Sequence, residues 1–272
     1  MGTTTKYTLG SIPDQRDDRD YPIAKFLAKA IELPQMIDLS STCLPPRNQG
    51  DEPVCVSMSA CGAKESEERN KYLSVRFMHD RIGLLSGGAY PRDAMKVLAE
   101  IGVPPETCQS FRPNEKTDPC AKALDLAKEN KIKGYARLTS LSEMKQCLYE
   151  WGCFTISVGI TDAWFNVGST GRIEQWGEII GYHQVVFVGY DDATKLVKFR
   201  NSWGGEWGES GYGYIEYDYL MRMLSDAWSF IDVPESEEEK PTPTPTPAPK
   251  PTMISSLFAW ISKIFSRKKV PA

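Results

Sequence analysis

The segment Asn48-Gln49-Gly50-Asp51-Glu52-Pro53-Val54-Cys55 runs into a stretch of helical character, with Cys55 at its first position. His183, in Gly181-Tyr182-His183-Gln184-Val185-Val186, lies 128 residues further on, and Asn201, in Phe199-Arg200-Asn201-Ser202-Trp203-Gly204, lies 146 residues further on. A chain that uses these side chains together must set a helical first half against a strand-rich second half. The chemistry gives a reason to expect that closure. A thiol of ordinary pKa, about 8.5, is mostly protonated at neutral pH. A neighbouring imidazole can take the proton and leave the nucleophilic thiolate. A helix N-terminus at Cys55 favours the thiolate further. His183 then serves first as base and later as the acid that protonates a leaving amine. The amide oxygen of Asn201 holds the imidazole tautomer. The Gln49 side-chain amide and the Cys55 N–H can both donate to an oxyanion, each such donor being worth about 2.7–4 kcal/mol. Gln49, Cys55, His183 and Asn201 are the candidate catalytic set.

The blocks that carry these residues resemble the papain-like cysteine peptidases. Asn48 to Ser59 aligns without gaps with that family's Asn-Gln-Gly-Ser-Cys-Gly-Ser-Cys-Trp-Ala-Phe-Ser. Asn201 to Tyr212 follows its Asn-Ser-Trp-Gly-x-x-Trp-Gly-Glu-x-Gly-Tyr block, and His183 to Tyr190 its His-Ala-Val-x-x-Val-Gly-Tyr block. Gly87-Gly88-Ala89-Tyr90-Pro91 resembles its Gly-Gly-Tyr-Pro segment, which lines the substrate cleft. The blocks come in the family's order, and its His and Asn follow the Cys by about 130–150 residues.

The resemblance implies an α+β, papain-like two-lobed fold. Its left lobe is helical, its right lobe is antiparallel and β-barrel-like, and the active site lies in the cleft between them. It implies a cysteine endopeptidase, made as a zymogen, that acts on a polypeptide substrate and needs no cofactor and no metal. It assigns substrate contact to Gly87, Gly88, Tyr182 and Trp203, with Trp203 also covering the His183–Asn201 hydrogen bond. Tyr182 is expected to restrict the side chain that precedes the scissile bond. Some positions depart from the family pattern. Val56 replaces its tryptophan, Met58 its phenylalanine, and Glu52-Pro53 the Cys-Gly pair, so the family's first disulfide cannot form. Val56 and the Glu52-Pro53 substitution support one alternative, a catalytically inactive papain-like domain that binds peptides. Another is an amidase or acyl transferase using the same triad. The stretch Gly10 to Asp20 resembles the N-terminal segment of the bacterial and viral, xylellain-like branch.

With 41% apolar residues the chain can build a core. A net charge of −4 argues against a nucleic-acid partner, and a monomer is expected. Of seven cysteines, six remain besides Cys55; six allow 15 pairings. Most are expected to be buried and reduced. Cys108 and Cys120 flank a Pro/Asn/Asp-rich loop and are the pair most worth testing. Two histidines and scattered cysteines give no metal-ligand spacing. The N-terminus lacks the apolar run of a signal peptide. The expected location is therefore cytoplasmic or peripheral to a membrane, in a bacterial or viral source.

Residues 1–40 read either as a short pro-segment lying across the cleft or as an arm packed outside the fold. Residues 41–234 form the peptidase domain, with a helical lobe over about 50–130 and a β lobe over about 131–234. Helices are expected over 55–73, 73–85, 92–101 and 120–130. A further helix follows Ser140, which has capping-box spacing to Glu143. Strands are expected over 153–160, 184–190, 196–200 and 211–217. His79 reads as a solvated surface residue. Residues 235–252 are an acidic, then Pro/Thr-rich linker that should be extended. Residues 253–269 carry a Trp/Phe/Leu face ending in basic residues. They are too short to span a bilayer, and fit an interfacial helix or a partner-docking helix.

Overall fold

The structure, a computed structural model, describes residues 7–28, 31–69, 71–174 and 177–231. The expected linker at 235–252 and the expected helix at 253–269 lie outside the described residues.

The first half is helical. Pro53 closes the approach loop, and α1 (Cys55–Glu68) starts two residues later, its first N–H bond running from Met58 to the Val54 carbonyl at 2.9 Å. Small side chains on α1 let it pack closely: a Cβ on Gly62 would overlap the Arg200 guanidinium. The helix stops at Arg69, whose φ of 60° ends it five residues short of the expected boundary region. In α2 (Val75–Ile82) the Ser74 hydroxyl accepts from the Phe77 N–H at 3.1 Å, an N-cap. The next helix, α3 (Pro91–Glu100), opens on proline, whose fixed φ suits a first helical position. A short α4 (Ala123–Lys128) completes this half.

The second half is antiparallel. The strands are β1 (Met36–Asp38), β2 (Gly134–Arg137), β3 (Phe154–Ile160), β4 (Gly181–Asp191), β5 (Leu196–Arg200), β6 (Tyr212–Glu216) and β7 (Leu224–Ile231). Along the sheet they run β2-β7-β3-β4-β5-β6, with β1 paired to β4 off that path. The lobe is thus an open sheet rather than a closed barrel. Between β2 and β3 lies α5 (Leu141–Trp151), with the expected capping box: Glu143 N–H donates to the Ser140 hydroxyl and Ser140 N–H to the Glu143 carboxylate. A last helix, α6 (Tyr217–Met223), leads directly into β7.

Two apolar clusters fill the domain. One, around Phe154, Trp164, Phe187 and Phe199, lies under the sheet and α5–α6. The other, around Val56, Phe77, Leu98 and Val188, joins α1–α3 to the opposite face of β4. β4 therefore serves both lobes, and α1 packs on it. Cys108 and Cys120 are disulfide-bonded with Cα atoms 5.0 Å apart, whereas Cys43, Cys55, Cys61, Cys147 and Cys153 are free. His79 is not a solvated surface residue. It is half-buried, with Nδ1 3.4 Å from the Ser57 hydroxyl, because α2 lies against α1. No helix among the described residues is long and apolar enough to cross a membrane.

Candidate active site

Cys55 is wholly buried at the N-terminus of α1. The loop ahead of it turns at Asn48, whose side-chain oxygen accepts from Gly50 N–H at 2.9 Å, and Gly50 takes a φ of +64° that a side chain would resist. That loop lacks the family's disulfide. The Glu52 carboxylate ties it to α2 instead, accepting from Arg76 with both oxygens at 2.8 Å. The Gln49 side chain is fixed at three points. Its oxygen accepts from the Ser202 hydroxyl at 2.6 Å, and its Nε2 donates to the Glu52 carbonyl at 2.8 Å and to the Thr8 carbonyl at 3.0 Å.

His183 projects from β4, in register with Val158 of β3. Its Nε2 lies 2.8 Å from Asn201 Oδ1, just past the end of β5. With Oδ1 as acceptor, Nε2 carries the proton and the free lone pair sits on Nδ1, which has no partner among the described residues. Trp203 stacks on the His183 ring with centroids 4.5 Å apart and is 2% exposed, so it shields the His183–Asn201 bond from water. Trp164 stands edge-on to both rings.

Residues 7–12 of the N-terminal arm cross this ground. Tyr7 stacks on Trp203 with ring centroids 4.5 Å apart. The Thr8 carbonyl takes the Gln49 amide. Gly10 lies so close to Pro53 that a Cβ there would overlap the Pro53 carbonyl. Ser11 N–H donates to the Tyr182 carbonyl at 3.2 Å. Ala89 N–H donates to the Gly10 carbonyl at 2.9 Å, and Ile12 N–H to the Ala89 carbonyl at 3.0 Å. Gly87 and Gly88 carry φ values of +88° and +77°, and a Cβ on Gly88 would meet the Gly10 carbonyl oxygen at 2.5 Å. The glycine pair thus lets a peptide approach, while its pairing partner is Ala89. For Tyr182, the group that meets the arm is the main-chain carbonyl.

Burial sets the electrostatics. It pushes the Cys55 thiol up to about 11, against the main-chain N–H groups of Gln184, Gly10, Val56 and Cys55 itself. It pushes the His183 imidazole down to about 4, against the Asn201 hydrogen bond. Each charge taken singly is disfavoured in this dehydrated state. The arrangement holds a thiol at a helix N-terminus, an oriented imidazole and an amide donor aimed at a main-chain carbonyl. That set is suited to acyl transfer from a peptide. Among the described residues no cluster of His, Cys, Asp or Glu is placed to hold a metal ion.

Sequence reasoning missed Ser202, Trp164, Thr8, Gly10 and Ala89. Ser202 stands inside the block that contains Asn201, so that block was its signal. Thr8 carries no local signal, and Gly10, though it opens the stretch that resembles the xylellain-like N-terminal segment, plays its part through main-chain atoms.

A family model described as papain family cysteine protease matches residues 33–227. A peptidase C1-like protein of Acanthamoeba polyphaga mimivirus is 24% identical over 77% of this chain and 74% of its own length. The gamete and mating-type specific protein A of Dictyostelium discoideum is 29% identical over 65% of this chain and 41% of its own. The chain spans only about a third to a half of most of the curated relatives it matches. Among solved structures, xylellain, a cysteine protease from Xylella fastidiosa, superposes with a TM-score of 0.75 at 26% identity, covering 86% of this chain and 99% of that one. A Carica candamarcensis cysteine protease in complex with E-64 has the same fold, with a TM-score of 0.60 at 22% identity over 73% of this chain and 98% of that one.

Proposed function

Since the chain belongs to the papain family of cysteine proteases, we propose that it is an endopeptidase acting through Cys55, His183, Asn201 and Gln49, held latent by its own N-terminal arm. The observation that carries this reading is the Gln49 amide. It is locked by Ser202 and Glu52 and aimed at a main-chain carbonyl, that of Thr8.

In the proposed reaction the Cys55 thiol gives its proton to His183 Nδ1. The thiolate attacks the scissile carbonyl carbon, and the oxyanion takes hydrogen bonds from Gln49 Nε2 and the Cys55 N–H. Collapse breaks the C–N bond as His183 protonates the leaving amine. Water, deprotonated by His183, then attacks the thioester and returns the free thiol. Asn201 holds the imidazole orientation throughout, and Trp203 keeps water off that bond.

The arm opposes each step. Thr8 takes the donor that an oxyanion needs, and an amide N–H, that of Gly10, faces the thiol, where attack requires a carbonyl carbon. Release of the arm returns water to the site, which brings the thiol down and the imidazole up toward a thiolate–imidazolium pair. The segment 253–269 is proposed to dock on an anionic membrane surface.

The test is hydrolysis of fluorogenic peptide amides, with reductant, by the full chain, a chain starting near Leu39 and Cys55→Ala. Activity that rises on trimming and vanishes in Cys55→Ala is expected. Equal activity of the first two would make the arm structural. No turnover in any form, with no labelling of Cys55 by an epoxide inhibitor, would leave an inactive peptide-binding domain. In the trimmed enzyme Gln49→Ala should lower kcat by about 10²–10³ while Cys55 still labels.

A further inference from the structure

The arm is gripped a second time, away from the cleft. Residues 14–20 cross a face made by Arg92 of α3, Arg137 of β2, and Asp226 and Trp228 of β7. Asp14 sits at its centre. Its Oδ2 accepts from Arg92 N–H at 3.0 Å and from Trp228 Nε1–H at 2.9 Å, and its own N–H donates to Asp226 Oδ2 at 3.1 Å. Asp20 accepts from Arg92 Nε at 2.9 Å and Nη2 at 2.7 Å, and from Arg137 Nη1 at 3.2 Å. Arg92 also donates to the Gln15 carbonyl at 2.7 Å, and Arg137 is ion-paired to Asp226. The two guanidinium carbons lie 5.4 and 5.2 Å from the Trp228 ring centre, and Tyr135 stands edge-on to it. Trp228 and Asp226 are buried.

The charges on this face do not balance. Asp14, Asp20 and Asp226 bring three carboxylates against two guanidiniums. Asp14 comes from the arm and Asp226 from the body, and docking presses them together. Like charges so close favour one of the two being protonated.

We propose that this face is a docking surface for the acidic stretch of the arm, and that its grip tightens in mild acid and loosens toward neutral pH. The proposal rests on the latent-peptidase reading for its consequence, not for its geometry. Burial first, and Asp226 second, push the Asp14 carboxyl up to about 6, against the hydrogen bond from Trp228 and the charge of Arg92. Burial also raises Asp226, against the Asp14 N–H and Arg137. Asp17 lies further out, paired with Arg19 at the surface. Docking therefore favours the protonated Asp14. The associated grip is complete below the ordinary carboxylate value of 3.8 and is lost as pH rises through about 6. One pH unit is worth at most about tenfold in that window, and solvent reaching Asp14 reduces this.

The measurement is hydrogen-exchange protection of the Ser11 and Ile12 N–H groups in the full chain carrying Cys55→Ala, at pH 5 and pH 7. Protection should fall about tenfold between them. Asp14→Asn should keep the higher protection at both values. Asp226→Asn, which leaves the arm unchanged and removes only the second of the two causes, should make the fall shallower without abolishing it. Equal protection at the two pH values in the parent, or a parent-like fall in both variants, overturns the proposal. Epoxide labelling of Cys55 in the otherwise unaltered chain, corrected for thiol ionisation, separates the two readings. If protection falls with pH while labelling does not rise, the pH-set grip stands and the latency reading fails.

Discussion

Residues 7–12 of the arm meet the body mainly through main-chain atoms: carbonyls of Thr8 and Gly10, and N–H groups of Ser11 and Ile12. Residues 14–20 meet it mainly through charged side chains, with Asp14 and Asp20 set against Arg92, Arg137 and Asp226. The first half offers what any extended peptide offers, so it responds to size and backbone reach. The second half is specific, so it responds to charge. The contrast shows how main-chain pairing and charged side chains together hold one segment in a fixed place.

Gly10→Ala should break the comparison hardest. The new Cβ has no room beside the Pro53 carbonyl. Overpacking of this kind costs about 1–3 kcal/mol, so epoxide labelling of Cys55 in the full chain should speed up about tenfold or more. An unchanged rate would mean that the cleft half is not what covers Cys55. Asp20→Asn tests the charged half. It weakens partly buried bonds to two guanidiniums, with side chains 11–18% exposed. Hydrogen bonds to charged groups contribute about 1.5–3 kcal/mol when buried, and residual solvent lowers that figure here. Labelling should rise up to about tenfold, at pH 5 as well as pH 7. No rise at either pH would mean that the ion pairs of Asp20 do not hold the arm.

Tyr7→Ala should act more weakly. The stack on Trp203 is worth about 0.5–1.5 kcal/mol beyond its area, so labelling should rise a few-fold and Trp203 fluorescence should shift. Removal of residues 241–272 should move neither half. Hydrolysis of small substrates by the trimmed enzyme should stay the same while binding to anionic liposomes disappears. Equal liposome binding by the shortened chain would rule out a membrane-docking tail.

Much of this fold is legible locally. The helix opening at Cys55 follows from Pro53 and the small residues after it. The α5 start follows from Ser140 and Glu143, and β5 spans Leu196–Arg200 as its apolar and aromatic run suggests. His183 and Asn201 meet because β4 and β5 are neighbours. Other parts have no local signature. Ser225, Asp226 and Ser229 interrupt the apolar pattern of β7, which is tolerated because Arg137, the Asp14 N–H and Cys147 satisfy them or their neighbours. His79 sits in a charged run, yet the approach of α2 to α1 half-buries it.

The sequence by itself determined the residue types of the candidate site, their order, and the two kinds of lobe, because those depend on short-range pattern and on chemistry that few side chains can perform. Only the tertiary structure decided the path of the arm. Thr8 meets Gln49 across 41 residues, Asp20 meets Arg92 across 72, and Asp14 meets Asp226 across 212. Contacts of that separation depend on how every intervening element packs, and a main-chain carbonyl in a cleft leaves no mark on the residue that carries it.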